Sequence, residues 1–208
     1  MATNAQTPIH ELEAVNTMLS VVGQAPVTSL DNPPLGVQVA IRTLSEVSRA
    51  VQLEGWSFNT STGQSYTRSD FTRRILIGDN VYALSAVFPG RQNLTVRGLE
   101  IGEEPEQLYV YDVANSTFEV DFPSVENVTI VYAVLFNDMP PAFRYYCTIR
   151  ASRTYQKRVL GENSLDRFTA EDEFRALVTL RHAEDESEPH NIFDSPDVGR
   201  ILPRYWNR

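Results

Sequence analysis

Three amphipathic stretches of the chain each stop at a glycine, and they enclose a long segment of different periodicity. Two of them precede Trp56 and the third begins at Pro140, whereas most residues between these points alternate between polar and apolar types. Apolar residues three and four apart form one face of a helix, and alternation is typical of a strand. The order predicts one helical bundle, assembled from both ends of the chain, with a β-module inserted in its middle.

Proline and glycine set the limits of the first three predicted helices. Proline suits the first turn of a helix, where its missing N–H does no harm, and glycine suits the left-handed residue that follows the last turn. The three helices are predicted between these limits: Thr7-Pro8 and Gly23, Val37 and Gly55, and Pro140-Pro141 and Gly161.

A fourth helix is predicted from Leu165, or from a cap at Thr169, and acidic residues occur at both of its ends. Acidic side chains stabilise the first turn of a helix, but the helix dipole disfavours them in the last turn. Its C-terminal end is therefore expected either to fray or to meet a basic partner. The predicted inner stripe of this helix consists of Phe174, Leu177, Val178 and Arg181.

Six short strands are predicted between the second and third helices, because the alternation is regular and turn residues separate the strands. Strands of this number and spacing favour a small antiparallel sandwich or barrel. The predicted strands are Arg74–Ile77, Val81–Val87, Leu94–Ile101, Gln107–Asp112, Thr117–Phe122 and Val128–Phe136.

The predicted fold class is α+β, with three parts. Residues 1–60 and 137–188 form a discontinuous helical bundle, residues 61–136 form the inserted β-sandwich or barrel, and residues 189–208 form an extended C-terminal docking tail. Along this tail three apolar pairs interrupt a polar, proline-containing stretch, and docking on a partner is favoured over folding back on the bundle. The pairs are Ile192-Phe193, Ile201-Leu202 and Tyr205-Trp206.

Basic residues form a ridge along one face of the third helix, and two interpretations are open. A basic ridge with nearby tyrosines can bind nucleic acid, but the formal net charge of the chain is −9, which disfavours phosphate binding. Pairing with the acidic end of the fourth helix, in the same or a neighbouring chain, is favoured. Between chains such a head-to-tail contact can close into a ring. The candidate interface residues are Arg150, Arg153, Lys157, Glu184, Asp185 and Glu186.

The sequence offers little for catalysis. The histidines are His10, His182 and His190, and none of them lies in a recognisable nucleophile motif. The single cysteine, Cys147, lies within the third helix and is expected to be a small packed hydrophobe. We expect no enzyme activity, cofactor, metal site, secretory signal or membrane span.

Four stretches of the chain resemble the tail tubular protein A family of T7-like short-tailed phages. They are residues 13–27 (EAVNTMLSVVGQAPV), 44–60 (LSEVSRAVQLEGWSFNT), 136–161 (FNDMPPAFRYYCTIRASRTYQKRVLG) and 191–194 (NIFD). These stretches cover both helical halves of the chain, whereas the β-region is less distinctive.

The resemblance implies a structural virion protein that joins the portal to the tail nozzle. It implies a dodecameric ring under the portal, around a channel through which DNA leaves the capsid without specific binding. The implied partners are sister copies, the portal protein, a nozzle protein of the tail tubular protein B type and tail fibres. Assembly is expected in the cytoplasm of the host cell.

An alternative function is binding or cleavage of surface polysaccharide by a tail-associated β-module. It requires exposed aromatic residues in a groove with two carboxylates beside them. The candidate aromatic residues are Tyr66, Phe71, Tyr82, Tyr109 and Tyr111.

Overall fold

The computed structural model describes residues 9–78, 83–99, 107–161 and 166–187. Its helices are α1 (Glu11–Val21), α2 (Leu35–Gln52), α3 (Pro141–Leu160) and α4 (Asp166–Ser187), and its strands are β1 (Thr60–Thr67), β2 (Leu76–Gly78), β3 (Ala83–Val87), β4 (Leu94–Leu99), β5 (Gln107–Asp112) and β6 (Ser124–Tyr132). The mixed α+β class is thereby confirmed. The predicted Thr7-Pro8 opening, the start of the second strand at Val81, a fourth-helix start at Leu165 and the tail from 189 lie outside the described residues.

The predicted helix ends are confirmed at all three glycines, which have positive φ angles. Gly161 shows the reason most clearly: its φ is 64°, and its N–H donates to the carbonyl of Lys157 at 3.1 Å. Residues with a Cβ are strained in this conformation, so glycine can end α3 at the lowest cost in free energy.

Helix α3 is the centre of the bundle, because it packs against each of the other three helices. Phe143, Ala151 and Tyr155 of α3 are fully buried in one apolar core that all four helices share. Trp56 closes this core beside the end of α2, with its ring 5.6 Å from that of Phe143 in an edge-on arrangement. The buried Trp56 thus covers this end of the bundle, and Ser57–Asn59 after it form a short 3-10 helix.

The described part of the β-region contains two three-stranded antiparallel sheets, in the orders β1-β6-β3 and β2-β5-β4. A second apolar core contains residues of both sheets, among them Ile77, Val110 and Ile130. Within the described ranges no strand pairing connects the two sheets, so a closed barrel is not confirmed, and neither is a sandwich.

Two strand predictions need correction, and one strand was not predicted. Thr117–Phe122 is not a strand, because only an isolated bridge joins Thr117 to Asp112. The last strand is β6, which spans Ser124–Tyr132, and Phe136 instead begins a short 3-10 helix. Strand β1 was not predicted, since its residues are mostly small and polar and few of them are well buried.

The predicted inner stripe of α4 is wrong at three positions. Phe174 and Val178 are 67% and 51% exposed, and Arg181 is exposed as well. The buried residues of α4 are instead Ala176 and Leu180. The small side chain of Ala176 allows α4 to approach α3 closely, and this turns the larger apolar residues outward.

Candidate functional site

The basic ridge of α3 faces α4 of the same chain. Arg153 donates to Glu173 at 2.7 Å, and the Nε of Arg150 lies 3.7 Å from the other oxygen of the same carboxylate. Glu173 lies in the N-terminal part of α4, so these two contacts are with that end of the helix, whereas the predicted pairing was with its acidic C-terminal end. Both arginines are partly buried. Their first role is therefore to position α4 on α3.

Arg150 also connects the ridge to α2 and to a buried tyrosine. Its guanidinium lies 4.0 Å from Glu54, just after α2, and donates to the hydroxyl of Tyr146 at 3.2 Å. Burial raises the pKa of Tyr146 above its usual value, so the phenol stays neutral and can accept this bond. Lys157 continues the same face and is exposed.

At the acidic C-terminal end of α4, one carboxylate contacts the segment after α2 and two carboxylates are exposed. The carboxylate of Glu184 accepts hydrogen bonds from the backbone N–H of Ser57 and from its hydroxyl, the latter at 3.0 Å. Glu184 thus anchors the end of α4 beside the segment that leaves α2. Asp185 and Glu186 are exposed, and Glu186 lies 3.5 Å from the imidazole of His182.

Six other candidate interface residues lie outside the described part of the chain. They are the tail residues Ile192, Phe193, Ile201, Leu202, Tyr205 and Trp206.

The junction between bundle and sheets was not predicted, and three side chains build it. Gln52, the last residue of α2, bonds both backbone polar groups of Val134, which follows β6. The amide of Asn59 donates to the carbonyls of Gln52 and Tyr132 at 3.1 and 2.9 Å. The indole of Trp56 donates to the carbonyl of Val51 at 2.8 Å. Amides on the buried side of a helix end are the sequence signal that could have indicated this junction.

These bonds satisfy the backbone where the chain enters and leaves the β-region. Gln52 and Asn59 are both nearly fully buried, so each unmade hydrogen bond would carry a desolvation cost. The two crossings of the chain are consequently fixed to each other and to the end of α2. The orientation of the sheets relative to the helices is set at this point.

The described residues contain no group of three or more His, Cys, Asp or Glu arranged to hold a metal ion. Cys147 is fully buried, and burial raises the pKa of its thiol to about 12, so it remains a protonated, packed side chain. No helix in the described ranges is long and apolar enough to cross a bilayer.

A cleft of about 390 Å³ lies at one end of the β-region. Among its described lining residues are Phe88, Arg91 and a single carboxylate, Glu126. The aromatic residues considered for polysaccharide lie elsewhere. Phe71 is 97% exposed at a loop tip, Tyr109 is buried, Tyr66 and Tyr111 are half-buried, and Tyr82 is not described. The described cleft thus offers no pair of carboxylates beside exposed tyrosines.

A sequence profile of the tail tubular protein family matches residues 12–190, which include α1 from its second residue, the other three helices and both sheets. The chain belongs to the tail tubular protein family. Membership confirms the resemblance noted in the sequence and makes the chain a structural component of a phage tail. As a tail tubular protein it is expected to act through surfaces that other tail components cover. No curated protein matches the chain significantly.

Proposed function

We propose that this tail tubular protein is the adaptor that joins the portal to the tail nozzle in a short-tailed phage. The family match over residues 12–190 carries the proposal. In this proposed role, copies of the chain form a dodecameric ring below the portal, around the channel through which DNA leaves the capsid. The protein is not an enzyme in this role, and it is assembled in the cytoplasm of the host cell.

The charge of the chain supports the proposed channel. Its formal net charge is −9, and an acidic wall repels the phosphate backbone of DNA. DNA can therefore pass along such a channel without being held.

The arrangement of the chain supports a structural joint. In the proposal, residues 1–60 and 137–188 act as one helical body, residues 61–136 act as a module inserted into it, and residues 189–208 dock on the portal or the nozzle. The bonds of Gln52 and Asn59 hold the inserted module in a fixed orientation. An adaptor needs this property, because it must present two faces to two partners at a constant angle.

The predicted interface residues have two roles in this proposal. Arg150, Arg153 and Glu184 support α4 within one protomer, as their contacts with Glu173 and Ser57 indicate. The exposed Asp185 and Glu186 are available to a neighbouring chain. Contacts with tail fibres belong to the same proposal.

The test is direct binding of the purified full-length chain to purified portal complexes. We expect negative-stain images to show a second ring stacked on the portal, and co-sedimentation to give one adaptor per portal subunit. A monomeric chain in the absence of the portal is compatible with the proposal, because the ring can assemble on the portal. Failure to bind portal complexes would refute the proposed function.

A further inference from the structure

The outer face of α4 presents two apolar side chains to solvent. Phe174 and Val178 are one turn apart and are 67% and 51% exposed. Glu171 lies one turn before them on the same face, with its carboxylate 3.8 Å from the exposed Arg175 of the same helix, and Arg181 lies one turn after them; Glu171 and Arg181 are both exposed. Adjacent exposed apolar residues on one helix face are characteristic of interaction sites.

The outer face of α2 has a similar pattern. Leu35 and Val39, also one turn apart, are 77% and 36% exposed. Arg42 follows one turn later on the same face and is exposed. Glu46 continues this face, but its carboxylate is bound by Arg158 of α3 at 2.7 Å. The exposed charge beside Leu35 and Val39 is therefore the positive charge of Arg42.

The two faces lie on opposite sides of the bundle. Arg153 of α3 contacts α4, whereas the hydroxyl of Tyr155, two residues later, donates to the carbonyl of Gly36 in α2. Two residues along a helix turn a side chain by about 200°, so the N-terminal part of α2, which carries Leu35 and Val39, lies on the side of α3 opposite to α4. One chain cannot bring these faces together, but the α4 face of one copy can reach the α2 face of the next.

The charges select a direction for that contact. If the helices run antiparallel, Leu35 lies against Val178, Val39 lies against Phe174, and Arg42 lies opposite Glu171. If they run parallel, Arg42 lies opposite Arg181 and like charges repel. Only the antiparallel arrangement is therefore complementary in both its apolar and its charged residues.

We propose that the outer face of α4, centred on Phe174 and Val178, packs antiparallel on the outer face of α2, centred on Leu35 and Val39, of a second copy of this chain. Each copy offers both faces, so the contact is heterologous, and repeated copies close into a ring when the rotation allows. The proposal rests on the ring-forming role proposed above and names the surfaces that form the ring.

Site-directed cross-linking tests the geometry. Two single variants, Val39→Cys and Phe174→Cys, are oxidised separately and as a mixture, both free in solution and on portal complexes. We expect a disulfide-linked dimer in the mixture and none in either variant alone. The buried Cys147 does not interfere, because its thiol is inaccessible in the folded chain.

Charge reversal tests the pairing. Arg42→Glu and Glu171→Arg should each raise the concentration needed for association by roughly tenfold, and the double variant should recover most of the loss. Association is measured by sedimentation velocity without the portal and by negative-stain imaging on it. Glu119→Arg, which changes an exposed carboxylate in the β-region, is the control and should leave association unaltered.

Three outcomes would overturn the inference. The first is a mixture of the two cysteine variants that does not cross-link in either setting. The second is a Phe174→Ser variant that binds the portal less well while its self-association is unaltered, which would mean that the portal covers this face. The third is a Phe174→Ser variant whose only defect is a less stable monomer, which would mean that residues 189–208 of the same chain cover it. A chain that forms the mixed cross-link but does not bind the portal would refute the adaptor function and leave the inference standing.

Discussion

The side chain of Gln52 and the backbone of Val134 are joined by two hydrogen bonds. The amide oxygen of Gln52 accepts the N–H of Val134 at 2.6 Å, and its amide nitrogen donates to the carbonyl of Val134 at 3.3 Å. The helix end thus supplies the donor and the acceptor that a neighbouring strand would have supplied. Removal of this amide would leave two backbone groups without partners in a nearly dry site.

We therefore expect Gln52→Leu to destabilise the protein by about 1–3 kcal/mol, because leucine fills the volume and leaves the polar groups of Val134 unsatisfied. Chemical denaturation followed by circular dichroism measures the change in the free energy of unfolding. Ser45→Ala, on the exposed face of the same helix, is the control, with an expected change below about 0.5 kcal/mol. A Gln52→Leu variant as stable as the control would show that the amide does not hold the junction.

Asp112 gives the β-region a pH dependence. Hydrogen bonds from the side chains of Asn93 and Asn115, together with the backbone N–H groups of Asn115 and Ala114, lower the pKa of its carboxyl below the usual 3.8. A depressed pKa in the folded state means that the carboxylate stabilises the fold above the unfolded pKa and that this contribution is lost as the pH falls.

Hydrogen exchange of individual backbone amides can detect this loss of stability next to Asp112. We expect the amides of Ala114 and Asn115 to exchange faster as the pH falls below about 4, relative to the intrinsic rate at each pH. Asp112→Ala should show the fast exchange already at pH 7. Glu119→Gln serves as the control for removal of a nearby acidic charge, and equal protection in Asp112→Ala and wild type would contradict the assignment.

The pair formed by Arg153 and Glu173 should hold α4 on α3. We expect Arg153→Glu to cost about 1–3 kcal/mol in the free energy of unfolding, since it removes a charge-assisted hydrogen bond and places two carboxylates together. In the double variant Arg153→Glu with Glu173→Arg, a large part of the loss should return. Arg49→Glu, at an exposed position of α2, is the control.

The same variant tests the interface role predicted for the ridge. Arg153→Glu should also weaken association between subunits, because a displaced α4 no longer presents its outer face correctly. An unaltered ring yield in assembly assays would remove the ridge from the interface and leave it a purely internal contact.

Residues 189–208 are predicted to dock on the portal or the nozzle. Truncation after Pro189 should therefore reduce attachment of the chain to those partners without a change in the thermal stability of residues 9–187. Co-sedimentation with portal complexes and with nozzle protein, beside differential scanning calorimetry of the free chain, measures both properties. Unaltered attachment would instead favour a tail that folds back on its own bundle.

Much of the fold follows from local sequence signals. The end of α3 was predicted from Gly161, and the helix ends there. The limits of β5 were predicted from its alternating residues, and the observed strand is Gln107–Asp112. These signals act within a few residues of the chain, so a single sequence contains them.

The errors arise where packing between distant segments decides the outcome. Whether Phe174 or Ala176 of α4 faces inward depends on how closely α3 approaches, and the sequence of α4 alone does not show this distance. Likewise, the partner of Arg153 depends on which turn of α4 lies beside α3. Strand β1 has a weak apolar pattern and is held largely by its pairing with β6, which lies more than 55 residues further along the chain.

The position of Asn59 has a consequence for how this family can vary. Its side chain bonds the carbonyl of Tyr132 at 2.9 Å, so the chain leaves the helices and returns to them at a single point. An insertion whose two ends are adjacent can lengthen, shrink or be exchanged while the surrounding helices keep their places. We therefore expect the inserted module predicted at residues 61–136 to be exchangeable as one unit, so that chimaeras between relatives need only two splice points.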